Sequence, residues 1–95
     1  MATLHIEHPI TDFATWKAAF DGFAGHRRTG GVTAARILRP VGDPAFIVVD
    51  LDFERADQAE AFRTFLLESV WSVPERSPGL AGAPIARVLD LVGAE

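Results

Sequence analysis

The chain contains no cysteine and no tyrosine. The first absence excludes disulfides, a thiolate nucleophile and a sulfur-ligated metal. The second removes one common acid/base group. No apolar run approaches the length needed to span a bilayer, so no membrane association is expected. The opening residues, MATLHIEHP, lack the basic and apolar regions of a secretory signal, and a cytoplasmic protein is the default expectation. Basic residues are also scarce. Nine Lys and Arg against 13 Asp and Glu give a formal charge of −4. Nucleic-acid-binding domains are usually basic, so nucleic acid is not an expected partner. What is abundant is apolar: 48% of the 95 residues are hydrophobic, which excludes a disordered chain. The length fits one domain, 1–95. A domain this small buries a modest fraction of its surface, so a partner surface would add stability.

The strongest signal is Ala45–Phe53, AFIVVDLDF. Its β-branched density marks a central strand. Alternation puts Ile47, Val49, Leu51 and Phe53 on one face and Phe46, Val48, Asp50 and Asp52 on the other. Asp52 sits near the strand end, within reach of water. Asp50 interrupts an apolar run, and an isolated buried carboxylate is costly unless paired or hydrogen-bonded. Such interruptions are where functional sites are sought.

Around this strand the chain alternates. Thr3–Glu7 reads as a strand ended by Pro9, which has no N–H to donate. Asp12 is a suitable N-cap for a helix with apolar positions Phe13, Trp16, Phe20, Phe23 and Ala24. His26, Arg27 and Arg28 fall in its last turns, where positive charge suits the helix dipole, and Gly30-Gly31 supplies the stop. Arg27 continues the apolar stripe four residues after Phe23. It can stand at a cavity mouth, clamp a carboxylate, or bury its stem with its head in water. Val32–Arg39 is a second strand, joined to the central one through the turn Pro40–Pro44. After Phe53 the period becomes helical again: Ala59, Phe62, Phe65, Leu66 and Val70. Asp57 and Glu60 have capping-box spacing. Trp71, Pro74 and Pro78 close this helix. Glu75–Gly82 is a loop with room for a helical turn, and Ile85–Val92 is the last strand.

The order β-α-β-β-α-β is the ferredoxin-like arrangement of an α+β protein. Right-handed crossovers give a four-stranded antiparallel sheet with two helices on one face. None of the four strands has a consistently polar face, and an exposed apolar face marks an interaction surface. A second copy packed sheet to sheet, as a homodimeric α/β barrel, is the economical solution. A pocket is then expected in or beside each sheet.

The chain resembles the dimeric α/β-barrel proteins. Within that group it is similar to small bacterial proteins related to the antibiotic-biosynthesis monooxygenase and polyketide-cyclase-like families. The resemblance lies in His8, Asp12-Phe13 through Trp16-Lys17, Phe20-Asp21, Arg27-Arg28 and Gly31. It continues in Asp43-Pro44, Leu51-Asp52-Phe53, Ala59, Ala61-Phe62 and Gly82-Ala83-Pro84. It implies a homodimer with a cavity between sheet and helices. Activities in the group include cofactor-free oxygenation of polycyclic phenols, polyketide cyclisation, lactone isomerisation and haem degradation. Such a range means that the fold does not settle the chemistry. The chain departs from the pattern in lacking tyrosine, in Asp50, and in His26 where an apolar residue is usual.

A cofactor-free oxygenase needs a base for a phenol and an apolar aromatic pocket for the anion. A cyclase needs an acid/base pair. The catalytic candidates are Asp50, His8, His5 and His26; a histidine titrates near neutrality, and burial can raise an aspartate into range. The substrate-binding candidates are Trp16, Phe20, Arg27, Arg36, Phe46, Val48 and Trp71. Each has a plainer role: Trp16 as core, Trp71 as terminal packing, His26 as a helix-end cation, His8 as a backbone tether. No metal-ligand spacing is present, although His5, His8 and Asp50 would be the residues to converge on one, and no cofactor is expected. Three functions follow. The first is a small enzyme acting on an aromatic or polyketide-like ligand, with Asp50 and a histidine or arginine in one pocket. The second is a non-catalytic ligand-binding or stress-related dimer, with Asp50 and the histidines satisfied structurally. The third, a haem-handling protein, requires a histidine facing a wide pocket.

Overall fold

A computed structural model describes residues 1–94. Four strands form one antiparallel sheet: β1 (Ala2–Pro9), β2 (Ala34–Leu38), β3 (Phe46–Phe53) and β4 (Ile85–Asp90). Their spatial order is β2-β3-β1-β4, the ferredoxin-like order. β3 does lie inside the sheet, between β2 and β1. β1 pairs with β3 on one side, His5 opposite Asp50, and with β4 on the other, His5 opposite Arg87.

One face of the sheet carries the core. Ala2, Leu4 and Ile6 from β1 meet Ile47, Val49, Leu51 and Phe53 from β3, and all are buried. Helices α1 (Phe13–Gly22) and α3 (Ala56–Phe65) cover them through Trp16, Ala59 and Phe62. Arg63 Nε donates to Ala86 O at 2.9 Å and ties α3 to β4. Among the described residues, nothing covers the opposite face.

Several boundaries differ from the sequence reading, each for a local reason. β1 runs on to Pro9, past the expected end at Glu7. Pro9 has no N–H to give, but its carbonyl accepts from Ala81 N at 3.1 Å. The first helix is broken at Phe23 into α1 and α2 (Ala24–Thr29). Gly22 and Gly25 flank the break, and glycine is a poor helix former. Asp12 caps α1 as expected, accepting from Thr15 N at 2.8 Å. The Asp57/Glu60 capping box does not form. Arg55 is the N-cap, and its N–H donates to Gln58 Oε1 at 3.1 Å. Asp57 instead pairs with Arg55 Nε at 3.0 Å.

The sequence reading extended the second helix to Trp71 without a change of winding. In fact α3 is α-helical only to Phe65, and Leu66–Val70 is a π-helical turn. Trp71 N–H bonds to Leu66 O, five residues back, at 2.8 Å. Pro74–Arg76 then makes a short 3₁₀ turn, and residues 77–81 fold back under α1. Thr11 N–H donates to Gly79 O at 2.8 Å, and Ile10 bridges Leu80. That anchoring brings the 76–80 segment to the end of the sheet where β1 finishes.

Candidate active site

Between the core face and the helices lies a cavity of about 80 Å³. Its wall is mainly apolar and aromatic: Trp16, Phe20 and Phe23 from the first helical stripe, Phe62 from α3, and Trp71 beyond the π turn. Trp16 and Phe20 are stacked with ring centroids 5.0 Å apart. The π turn inserts one extra residue into its winding, which sets the cavity-lining Val70 and Trp71 differently from an α-helical continuation. Such turns are frequent at functional sites.

His8 lies at the floor of this cavity, 4% exposed, edge-on to Trp16 at 6.4 Å between centroids. Its Nδ1 is 2.9 Å from Pro9 O. A carbonyl can only accept, so Nδ1 carries the proton and Nε2 holds the lone pair in the neutral ring. Burial pushes its pKa below 6.5, against a smaller opposing pull from the Pro9 carbonyl. The ring is therefore neutral at pH 7 and able to accept a proton at Nε2. Arg27, half-buried at the mouth, lays its guanidinium 3.7 Å over the Phe20 ring and donates to Phe20 O at 2.7 Å.

The expected site residues thus divide. His8, Trp16, Phe20, Arg27 and Trp71 line the cavity together. Asp50, His5, Arg36, Phe46 and Val48 lie on the uncovered face of the sheet, so Asp50 does not share the cavity. His5 and His8 are three residues apart on β1 and face opposite ways. With Asp50 they do not converge, and no group of three His, Asp or Glu among the described residues could hold a metal ion. His26 lies outside the cavity, stacked on Phe65 at 5.2 Å and 15° between planes.

The uncovered face carries its own polar network. His5 Nδ1 is 2.6 Å from Asp50 Oδ1, and Nε2 is 3.0 Å from Glu7 Oε2. The hydrogen bond to Glu7 does most to raise the His5 pKa above 6.5; desolvation opposes it, and Asp50 adds to the rise. Asp52 does not reach water as expected. It is 4% exposed, gripped by Arg36 Nη1 at 2.7 Å and Nη2 at 2.9 Å, with Thr3 Oγ1 donating at 2.9 Å. The Arg36 guanidinium, with Thr3, holds its carboxyl below the usual range despite desolvation. No buried side-chain polar atom lacks a partner among the described residues.

The sequence reading missed Arg76, Ser77, Pro78 and Leu80 at the cavity mouth. The only available signal was the proline-bounded loop after Trp71, which says that the chain turns but not where it lands.

A ferredoxin-like sheet with helices on one face and an aromatic cavity between the layers defines the class of the molecule. The structure is similar to that of a monooxygenase from the gene ActVA-Orf6 of Streptomyces coelicolor, crystallised with the ligand nanaomycin D. The TM-score is 0.64 and the identity 18%, over 99% of this chain and 89% of that one. At that identity the likeness is one of fold. No protein-family model and no curated protein sequence matches the chain.

Proposed function

We propose that the chain is a cofactor-independent monooxygenase, or a cyclase of related chemistry, acting on an aromatic or polyketide-like small molecule. The observation that carries this is His8: a buried imidazole held neutral, with its tautomer set by Pro9 O, at the floor of an aromatic cavity. A base so placed takes the proton of a bound phenol, and the aromatic walls accommodate the delocalised anion. In the oxygenase form, one phenol and one O₂ give one quinone and one water. One oxygen atom enters the ring carbon that loses its hydrogen, and the substrate itself supplies the electrons. In the cyclase form the same base removes an acidic C–H proton between two carbonyls.

The cavity is smaller than the roughly 150 Å³ that holds benzene in an engineered core. A polycyclic substrate therefore enters only when the 76–78 segment at the mouth moves aside. The small cavity also favours a second reading, a ligand-binding protein without chemistry.

The uncovered sheet face supports a homodimer. Leu38, Ile85 and Leu89 are 47%, 51% and 43% exposed there, around the polar network of His5, Asp50 and Asp52. A second copy facing it would bury these side chains, and charges of both signs are available for pairing.

The test is oxygen uptake and quinone absorbance with a panel of two- and three-ring phenols. We expect a catalysed rate, and a loss on the order of 10²-fold or more in His8→Ala, the usual contribution of a positioned base. A rate indifferent to His8 removes this mechanism. Binding without turnover leaves the non-catalytic reading.

A further inference from the structure

The charge lining the cavity is of one sign. Arg27 and Arg76 stand at its mouth, His8 at its floor is neutral, and among the described residues no Asp or Glu lines it. The chain as a whole has the opposite balance, −4.

Arg27 is the informative residue. A guanidinium has five N–H donors, and Nη1 is occupied by Phe20 O at 2.7 Å. The guanidinium carbon sits 3.7 Å from the Phe20 ring centroid, and the bond to Phe20 O is the one Arg27 side-chain hydrogen bond among the described residues, which leaves donors for an incoming acceptor. The acid that acts on Arg27 through space is Asp21, and Lys17 Nζ holds Asp21 at 2.7 Å. No ion pair involves Arg27 among the described residues. Burial lowers its pKa from the ordinary guanidinium value, with Asp21 opposing the shift, and it remains a cation at neutral pH. A partly desolvated cation with no counter-ion is an unfavourable arrangement that an incoming anion relieves. Arg76 is exposed and donates to Ser69 O at 2.9 Å, so its contribution is the weaker one.

We propose that the cavity selects anionic aromatic ligands: an aryl group against Trp16, Phe20 and Trp71, with a carboxylate held at the mouth by Arg27. This rests on the aromatic-ligand reading given above and adds the charge of the ligand. Shape and ring come from the walls; the sign comes from Arg27.

The test compares 2-naphthoate with the neutral 2-naphthamide by titration calorimetry on the full chain. The two probes share a ring system and differ in charge. The wild type should bind naphthoate about tenfold or more tighter, the scale of a charge-assisted pair. Arg27→Met should bring the two affinities within about threefold, whereas Arg28→Met, outside the cavity, should keep the preference. If Arg27→Met does not fold, Arg27→Lys serves. A lysine lacks the fork that grips a carboxylate, so the preference should fall. Equal wild-type affinities, or a preference that survives loss of Arg27, overturn the proposal. Equal binding of both probes would leave the aromatic-pocket reading standing, whereas failure of both to bind would sink the two together.

Discussion

At the scale of single residues, the carboxylates and histidines were easy to find and hard to place. Alternation assigned the two faces of β3 correctly, and Asp50 and Asp52 do share one. Which face meets the helices depends on long-range packing. The sequence reading ended β1 at Glu7 and so gave His8, a catalytic candidate, no face of the sheet; once the strand runs to Pro9, parity alone separates His8 from His5. The pH behaviour follows from the environments. The His8 pKa is lowered in the fold, so its stability contribution is fully present above 6.5 and fades as pH falls through the folded value. If His8 is the base, kcat/KM should show an acid limb with its midpoint below 6.5, read from a pH–rate profile. A midpoint above 6.5 would assign the base elsewhere. His5 runs the other way, with a raised pKa. Its contribution is full below 6.5 and is lost as pH rises through the folded value. Asp52, with a lowered pKa, stabilises above the ordinary carboxyl range near 3.8 and loses that contribution as acid protonates it. Asp50→Leu removes a hydrogen-bond partner of His5 and should lower the melting temperature. Asp52→Leu strands Thr3 and Arg36 and should cost about 1–2 kcal/mol by urea unfolding. The exposed Arg36 end tempers that figure, because water screens it.

Elements were legible in type and order, less so at their ends. Hydrophobic period distinguished helix from strand along the whole chain, because a two-layer fold needs those stripes to bury a core. The break at Phe23 and the π turn at Leu66–Val70 escaped it, since neither changes which residues are apolar. Glycines expose the close packing instead. Gly79 has φ +87°, and a Cβ there would lie 2.9 Å from Trp16 N. Gly42 has φ +83° with nothing within 4 Å. Both substitutions to alanine incur backbone strain of about 1–3 kcal/mol. Only Gly79→Ala also pushes on the helix that carries Trp16. It should be the more destabilising of the two by denaturant titration, and should alter tryptophan fluorescence. Equal losses would mean that the 76–80 segment yields without disturbing the cavity wall.

For the whole molecule, the question is what covers the second face of the sheet. The sequence showed that no strand has a consistently polar face, and the fold places Leu38 and Val48 at one side of the open face and Ile85 and Leu89 at the other. Monomeric proteins seldom expose such an area undivided, although here the His5 and Asp52 networks break it up. A symmetric pair of sheets brings the same patch onto itself. Sedimentation velocity should therefore show a dimer of twice 10.3 kDa. Replacing Leu38 and Leu89 together with lysine sets four new cations across the two-fold contact. Neither side chain belongs to the helix-covered core, so the domain should remain folded by circular dichroism while the dimer dissociates. The loss should be partly reversed at high salt, which screens like charges over a few ångströms at 1 M. A wild type that sediments as a monomer would show that the polar networks suffice to keep this face in water. The cavity, which is built within one chain from β1, β3 and the helices, would be unaffected by that result.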